Sequence, residues 1–519
     1  MSPRPVALLL VAALAAAGCD YGIRLSGSPP AAPVAKSSAK PRASATVAAA
    51  DDPLGPKPTL GAPATFAPPT PQVFQGPGGI TVWLVERPAI PLVTATFVVP
   101  YGSASDPADR PGALYLLADM LDEGAGKRNA LELSDAVSAL GASLSVYATN
   151  DGSFAQVSSL RGKFDEAFAL LADVVSRPRF DEKEFNRVKK LWKNSLKKRA
   201  DEPTAVANVV TASVLYDQKA PYGHPSSGLL AKADALDLAS IKATYDKTWR
   251  PDRATLVVVG QITKSEVEAQ LTAQLGSWKP KGEALAAPKL TTVLAERPRL
   301  VLVDRPKAVQ TVILVARDGI VASDERAPSL SLLNSALGGS FTSRLNLNLR
   351  EEKGWTYGVG SVFTATRGQG SFYVKTEVEA GKTGASVKEV LGELSKMAAS
   401  GLTEEELGKV KALDRGDLVE TYETASGSAS RLGQLVSIGL PPGFDASASR
   451  VRQAARLEDL ARLAKTHFDP AGFTVVLVGD KDTVGPQIAD LGLGEPAVYS
   501  AEGEPSKKAE SGKPAKPKK

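Results

Sequence analysis

Cysteine is nearly absent: the 519-residue chain has one, Cys19. A lone thiol excludes an intramolecular disulfide and any metal-spaced cysteine pair. Histidine is almost as scarce, with only His224 and His467. With two isolated imidazoles and no cysteine in the body, no nucleophile–base pair for covalent catalysis is visible. An excess of one charge sign is lacking too: 62 Lys and Arg face 57 Asp and Glu, a net +5, which predicts no nucleic-acid partner. Neither GxGxxG nor GxxxxGK[ST] occurs, so a nucleotide-binding reading has no support.

The ends of the chain are distinctive. Arg4 precedes an apolar run from Val6 to Ala17, too short to span a membrane and suited to a signal peptide. The run closes on Ala16-Ala17-Gly18-Cys19, which resembles a bacterial lipobox with Cys19 as the lipidated residue. A secretory signal with an incidental cysteine is the alternative. A cysteine at that place and nowhere else favours the anchor. Residues 1–19 therefore read as a lipoprotein signal, with the protein lipid-anchored at the cell envelope and facing the periplasm. Asp20 resembles an inner-membrane retention signal of some bacteria, and inner against outer membrane stays open. Residues 20–70, rich in Pro, Ala and Ser, read as a disordered tether. Residues 496–519 read as a disordered tail; Lys507, Lys508, Lys513, Lys516, Lys518 and Lys519 lie in it. That tail either adds attraction to anionic headgroups or is simply solvated.

Between these ends the chain repeats itself. Ala254 to Gly260 and Phe473 to Gly479 are continuous apolar runs that stop at glycine, each after a polar Pro turn. Such runs suit strands buried on both faces. Ile80 to Val85, Pro88 and Leu92 to Val99 read as two strands around a turn, and Val301 to Val303, Pro306 and Thr311 to Ala316 repeat the pattern. Phe164 to Val175 and Ser386 to Ala399 are amphipathic at helical spacing. The class is α+β: two tandem homologous domains, 71–278 and 298–495, joined by 279–297. Each places helices on one face of a mixed sheet, and the two form a clamshell with a cavity between them.

Two segments carry a resemblance. Gly112 to Met120 reads GALYLLADM, and Leu332 to Leu345 with Asn348 to Tyr357 reads LLNSALGGSFTSRL and NLREEKGWTY. Both are similar to motifs of the insulinase/pitrilysin family of zinc peptidases, and the resemblance covers about residues 71 to 495. The first motif in active members is GxxHxxEHM, with two zinc-binding histidines and a glutamate acting on the water. Tyr115, Ala118 and Asp119 stand at those positions, and Ser195 falls at the third ligand. The helix around Ser195 carries Lys189, Lys190, Lys193, Lys197, Lys198 and Arg199. This implies a degenerate zinc site, with no metal bound and no catalytic residue in this chain alone. Asp119, Asp122 and Glu123 share a helical face, which leaves two readings, a hard-cation site or an acidic face turned to solvent. The family implies a structural His224, and His467 reads likewise as structural or surface.

The second motif is intact. The resemblance implies that Arg350 and Tyr357 contact substrate near the scissile carbonyl. A guanidinium suits peptide carbonyls, and a phenol suits a developing oxyanion. Pairing of Arg350 with a nearby glutamate and a structural Tyr357 is the plainer alternative. Some members resemble split enzymes, one chain holding zinc and its partner holding the Arg/Tyr pair. The chain therefore reads as the substrate-binding, non-catalytic subunit of a heteromeric zinc metallopeptidase. Its implied partners are an HxxEH-containing subunit that carries the zinc, and a peptide or unfolded polypeptide substrate. The alternative is a stand-alone pseudo-peptidase, a peptide-binding or scaffold protein.

Overall fold

The computed structural model describes residues 66–288 and 294–506. The signal peptide with Cys19, most of the tether and the tail lysines lie outside the described residues. The first unit contains β1 (Gln72–Gln75), β2 (Thr81–Glu86), β3 (Leu92–Val99), a small hairpin of β4 (Gly124–Ala125) and β5 (Arg128–Asn129), β6 (Ser143–Ala148), β7 (Ser153–Leu160) and β8 (Thr255–Gly260). Apart from the hairpin these form one sheet in the order β1-β2-β8-β3-β7-β6. The last strand in sequence thus lies inside the sheet, parallel to β2 and antiparallel to β3. That placement explains why Leu256 to Val259 is apolar at every position.

The second unit repeats this wiring with β9 (Leu300–Asp304), β10 (Gln310–Asp318), β11 (Val359–Phe363), β12 (Ser371–Glu379), β13 (Thr474–Gly479) and β14 (Ala497–Val498). Its order is β11-β12-β10-β13-β9-β14, with β13 parallel to β9 and antiparallel to β10. Only the outermost strand differs: β1 is antiparallel to its neighbour, and β14 is parallel to its own. β14 also revises the tail. Residues 497–506 are ordered, because the free edge of β9 takes a strand and Tyr499 and Ala501 pack against apolar residues beneath it. Gln218 donates to the Glu502 carbonyl at 2.6 Å. At the other end, Pro68 is buried and Phe66 sets its ring 6.5 Å from that of Tyr422, so the tether becomes ordered before residue 71.

The first unit's helices are α1 (Ala113–Leu121), α2 (Ala130–Ala139), α3 (Phe164–Ser176), α4 (Glu182–Arg199), α5 (Pro203–Tyr216), α6 (Leu238–Thr248) and α7 (Lys264–Leu275). Those of the second are α8 (Ala327–Asn334), α9 (Arg344–Asn346), α10 (Thr383–Ser400), α11 (Glu404–Glu423), α12 (Ala425–Ser437), α13 (Phe444–Ala454), α14 (Leu457–His467) and α15 (Lys481–Ile488). Strand alternation sends Val82, Leu84, Leu256 and Val258 toward one face, where α1, α3 and α4 supply Leu117, Phe168, Leu171 and Trp192. Trp83, Val85, Val257 and Val259 point to the opposite face. There they meet Tyr422 of α11 and Leu432 and Leu435 of α12, all from the other unit. The exchange is reciprocal: Val206, Val210 and Val214 of α5 cover Val301, Leu314 and Val476 of the second sheet. Each sheet therefore has its own helices on one face and a borrowed helix on the other.

Two arginines mark the same exchange. Arg87, just past β2, donates to the Tyr422 carbonyl at 2.9 Å near the end of α11. Arg305, just past β9, donates to the Ala200 and Asp201 carbonyls at 2.8 and 2.9 Å beyond the end of α4. Both are cations on the open carbonyls of a helix C-terminus, which complements the helix dipole. Two described points of the linker touch the first unit, with the Leu285 N–H on the Lys247 carbonyl at 3.0 Å and the Leu294 N–H on that of Leu215 at 2.8 Å. The lobes are clasped, and a cavity left between them is about 360 Å³. That is a small-molecule volume.

Candidate functional site

The first candidate position begins at Gly112, whose φ of 93° is left-handed. A Cβ there would lie 2.9 Å from the Trp192 ring and 3.0 Å from the Gly228 Cα, so α4 and the loop before α6 close directly on this backbone. The Asp106 carboxylate accepts the N–H groups of Gly112 at 2.6 Å and Leu114 at 2.9 Å, which satisfies donors at the start of α1. Leu114, Leu116, Leu117, Met120 and Leu121 bury the helix in the core.

The residues replacing the expected ligands sit on this helix. Ala118 is buried, and Tyr115 is half-buried against the core with its phenol pushed up to about 12 by burial and by Asp119. Asp119 is pushed up to about 7, first by burial and then by Asp122 and Glu123. Asp122 is also pushed up to about 7, by burial and by Glu123. These two carboxyls are not the solvated acidic face that spacing alone allows. α4 packs across α1, where Arg187 pairs with Glu123 and Glu184, and Asp119, Asp122 and Glu123 are each half-buried. Ser195 is exposed on α4. Lys193 pairs with Asp234 at 2.6 Å and Lys189 donates to the Leu236 carbonyl, so these two lysines are held toward the segment before α6.

A zinc ion does not fit this donor set. Tetrahedral zinc takes imidazole, thiolate or carboxylate and leaves one position open. Here the positions offer a neutral phenol, a buried methyl, a carboxyl that shares its proton near neutrality and an exposed hydroxyl. Among the described residues, no three His, Cys, Asp or Glu are grouped to hold a metal, the acidic trio included. His224 is buried, its Nδ1 3.1 Å from the Pro225 carbonyl, and burial lowers its pKa. His467 is also buried and lowered, at the end of α14 in the other unit.

The second position is open. The chain leaves α8 through a π-helical turn, Ser335–Gly339, and reaches Arg350 in another, Leu347–Glu352. Such turns often lie at functional sites. A Cβ on Gly338 would stand 2.5 Å from the Ser361 Oγ and 2.8 Å from its backbone N, so β11 can pass only over glycine. After Arg350 the chain doubles back: the Gly354 N–H donates to the Arg350 carbonyl at 3.1 Å and the Trp355 N–H to that of Leu349 at 3.0 Å. The seven-residue spacing is thus a tight turn that puts Arg350 and Tyr357 on its two arms, with Tyr357 just before the edge strand β11. The Arg350 guanidinium lies 4.4 Å from the Phe341 ring centre and 3.6 Å from the Glu351 carboxylate. Its side chain is one-third exposed and Tyr357 is 90% exposed.

Sequence reasoning missed the support beneath this turn. Asn346, buried, accepts the Val359 N–H at 3.0 Å and so pins β11 to the turn. Asn348, also buried, donates to Glu389 and Glu393, each at 2.9 Å, and accepts from Lys353 at 2.9 Å. Two asparagines interleaved with leucines in LNLNL were the available signal, since an asparagine inside a helical turn needs a partner.

Residues 81–222 match the insulinase family, peptidase family M16, and residues 235–413 match the peptidase M16 inactive domain. The chain belongs to the peptidase M16 family. An uncharacterized zinc protease of Mycobacterium leprae is 26% identical over 69% of this chain and 80% of its own length. The uncharacterized zinc protease YmxG of Bacillus subtilis is 24% identical over 69% and 85%. Among solved structures, the peptidase M16 inactive domain from Pseudomonas fluorescens aligns with a TM-score of 0.72 at 26% identity, covering 79% of this chain and 98% of that one. A protease from Helicobacter pylori aligns with a TM-score of 0.72 at 17% identity, covering 79% and 99%, which speaks to the fold. Within this M16 chain the Arg350/Tyr357 turn is open, and Tyr115, Ala118, Asp119 and Ser195 do not suit zinc.

Proposed function

We propose that this chain is the substrate-contacting, non-catalytic half of a two-chain zinc peptidase, and that it is lipid-anchored through Cys19 at the bacterial envelope. The observation that carries the reading is Tyr357. A phenol 90% exposed, hydrogen-bonded to no other described residue, stands at the end of a buried network that fixes the turn beneath it. A chain that orders its backbone so closely and leaves the side chain bare is consistent with presenting it to another molecule. Arg350 is held against the Phe341 face and pairs through its Nε with Glu351 at 3.6 Å, which leaves its Nη donors for a carbonyl. A partner subunit with an HxxEH helix supplies the zinc and the general base. Arg350 and Tyr357 bind the peptide and donate hydrogen bonds where negative charge develops. The Pseudomonas fluorescens neighbour, described as an inactive domain, agrees with a non-catalytic role.

The test is reconstitution with the HxxEH-type chain that co-purifies from the native envelope. R350A and Y357F should each lower kcat/KM roughly 100-fold, in line with loss of a transition-state donor worth about 3 kcal/mol. Sedimentation should show the pair still assembled. Unchanged turnover in both variants would remove the subunit reading. Recovery of the chain without such a partner, yet still binding extended peptide, would favour a stand-alone pseudo-peptidase.

A further inference from the structure

The cavity between the lobes is lined by side chains of one charge sign. Arg253 comes from the segment before β8 in the first unit, and Arg367 from the loop between β11 and β12 in the second. Tyr101, Pro100 and residues 284–287 of the linker complete a wall that is otherwise apolar. Among the described residues no carboxylate lines it. The charges acting on the Tyr101 hydroxyl are three guanidiniums, Arg250, Arg253 and Arg367, and one carboxylate, Asp252. Asp252 is already taken, held by Arg250 through two hydrogen bonds of 3.0 and 3.1 Å. Arg253 makes no ion pair among the described residues.

Arg367 is fixed, and its side chain makes no ion pair among the described residues. Its Nη atoms donate to the Pro100 and Ser437 carbonyls, its backbone N–H donates to the buried Asp151 carboxylate at 3.1 Å, and its Nε is buried with no hydrogen-bond partner. Exposed Arg253 and half-buried Arg367 place like charge around one small volume, which is unfavourable. A phosphate or carboxylate relieves it, since a guanidinium fork matches the spacing of their oxygens. A bare inorganic ion would leave the apolar wall at Leu285 and its alanine neighbours uncovered. The geometry points to a binding site for a small organic oxyanion, its headgroup held by Arg253 and Arg367 and its short apolar body against Tyr101 and residues 284–287. The ligand would bridge the two units at a place independent of the Arg350/Tyr357 turn.

Calorimetry on the full chain in detergent tests this, with phenyl phosphate and phenylacetate as probes. Saturable one-to-one binding of at least one is expected; the tighter probe tells a phosphate ligand from a carboxylate. R253Q should weaken binding at least 10-fold with an unchanged melting temperature, because that exposed guanidinium holds no other group. R367Q removes lobe contacts and can unfold the chain, so R253Q is the deciding variant. No saturable binding of either probe, or equal affinity in R253Q, overturns the assignment.

Discussion

At the residue scale, Asp119 and Asp122 on α1 behave as a half-buried acid pair. Asp119 and Asp122 have folded-state pKa values raised to about 7, above their ordinary values near 4. Acids raised on folding contribute stability that is fully present below the unfolded pKa and lost as pH rises through the folded one. The window is therefore about pH 4 to 7, with the chain less stable at its alkaline end. D119N removes one charge and keeps the shape. Its melting temperature should exceed that of the parent by roughly 1 °C at pH 8, for about 1 kcal/mol in one large cooperative unit, and should match it near pH 4. An equal gain at both pH values would assign the effect to something other than ionisation. A second variant, Y115H/A118E/D119H, restores the HxxEH letters, yet it should not take up stoichiometric zinc after dialysis against trace metal. Ser195 still provides no ligand, and the glutamate would enter a site where Ala118 is wholly enclosed. Tight zinc at one per chain, measured by metal analysis, would show that Ser195 is not the third position.

At the scale of elements, the structure separates what periodicity can reveal from what it cannot. The strands β2, β3, β8, β9, β10 and β13 were legible because an interior strand must be apolar on both faces, and the repeat of that signal gave the duplication. The exchange of α5 and α12 was not legible. Period-two alternation shows that Trp83 and Val257 need cover, but not which helix far along the chain supplies it. A hint was present in α5, where Val206, Ala207, Val209, Val210, Val214 and Leu215 leave almost no polar face. A helix apolar all round is buried on more than one side. The candidate site divides in the same way. Arg350 and Tyr357 were legible as a motif, but the packing of α4 across α1, which half-buries Asp119, is stated by no local pattern. The exchange itself is testable with L432A on α12, since Leu432 is fully buried against the first sheet. The loss should be about 2–5 kcal/mol, the usual range for Leu→Ala in a core, read as a lowered urea midpoint. A loss below 1 kcal/mol would mean that α12 covers the sheet only loosely.

For the whole molecule, the same exchange decides how the two units fold. Domains joined only by a linker unfold in separate steps, because few contacts cross between them. Here each sheet keeps one face dry only while the other unit is folded: unfolding of the second unit strips α11 and α12 from Trp83, Val85, Val257 and Val259. Each such side chain is worth about 1.5–3 kcal/mol when buried, and Arg87 and Arg305 lose their carbonyl partners in the same event. That coupling is comparable to the whole stability of a typical domain, about 5–15 kcal/mol, so neither unit should survive alone. Urea unfolding followed by tryptophan fluorescence and by far-ultraviolet dichroism should give one coincident transition. Trp83, Trp192, Trp249 and Trp278 report the first unit and Trp355 the second. The fragment 66–288, expressed alone, should expose the outer sheet face and associate or bind a hydrophobic dye instead of giving a cooperative transition. Two resolved transitions, or a monomeric and cooperatively folding fragment, would make the exchanged helices a surface contact and the lobes independent domains.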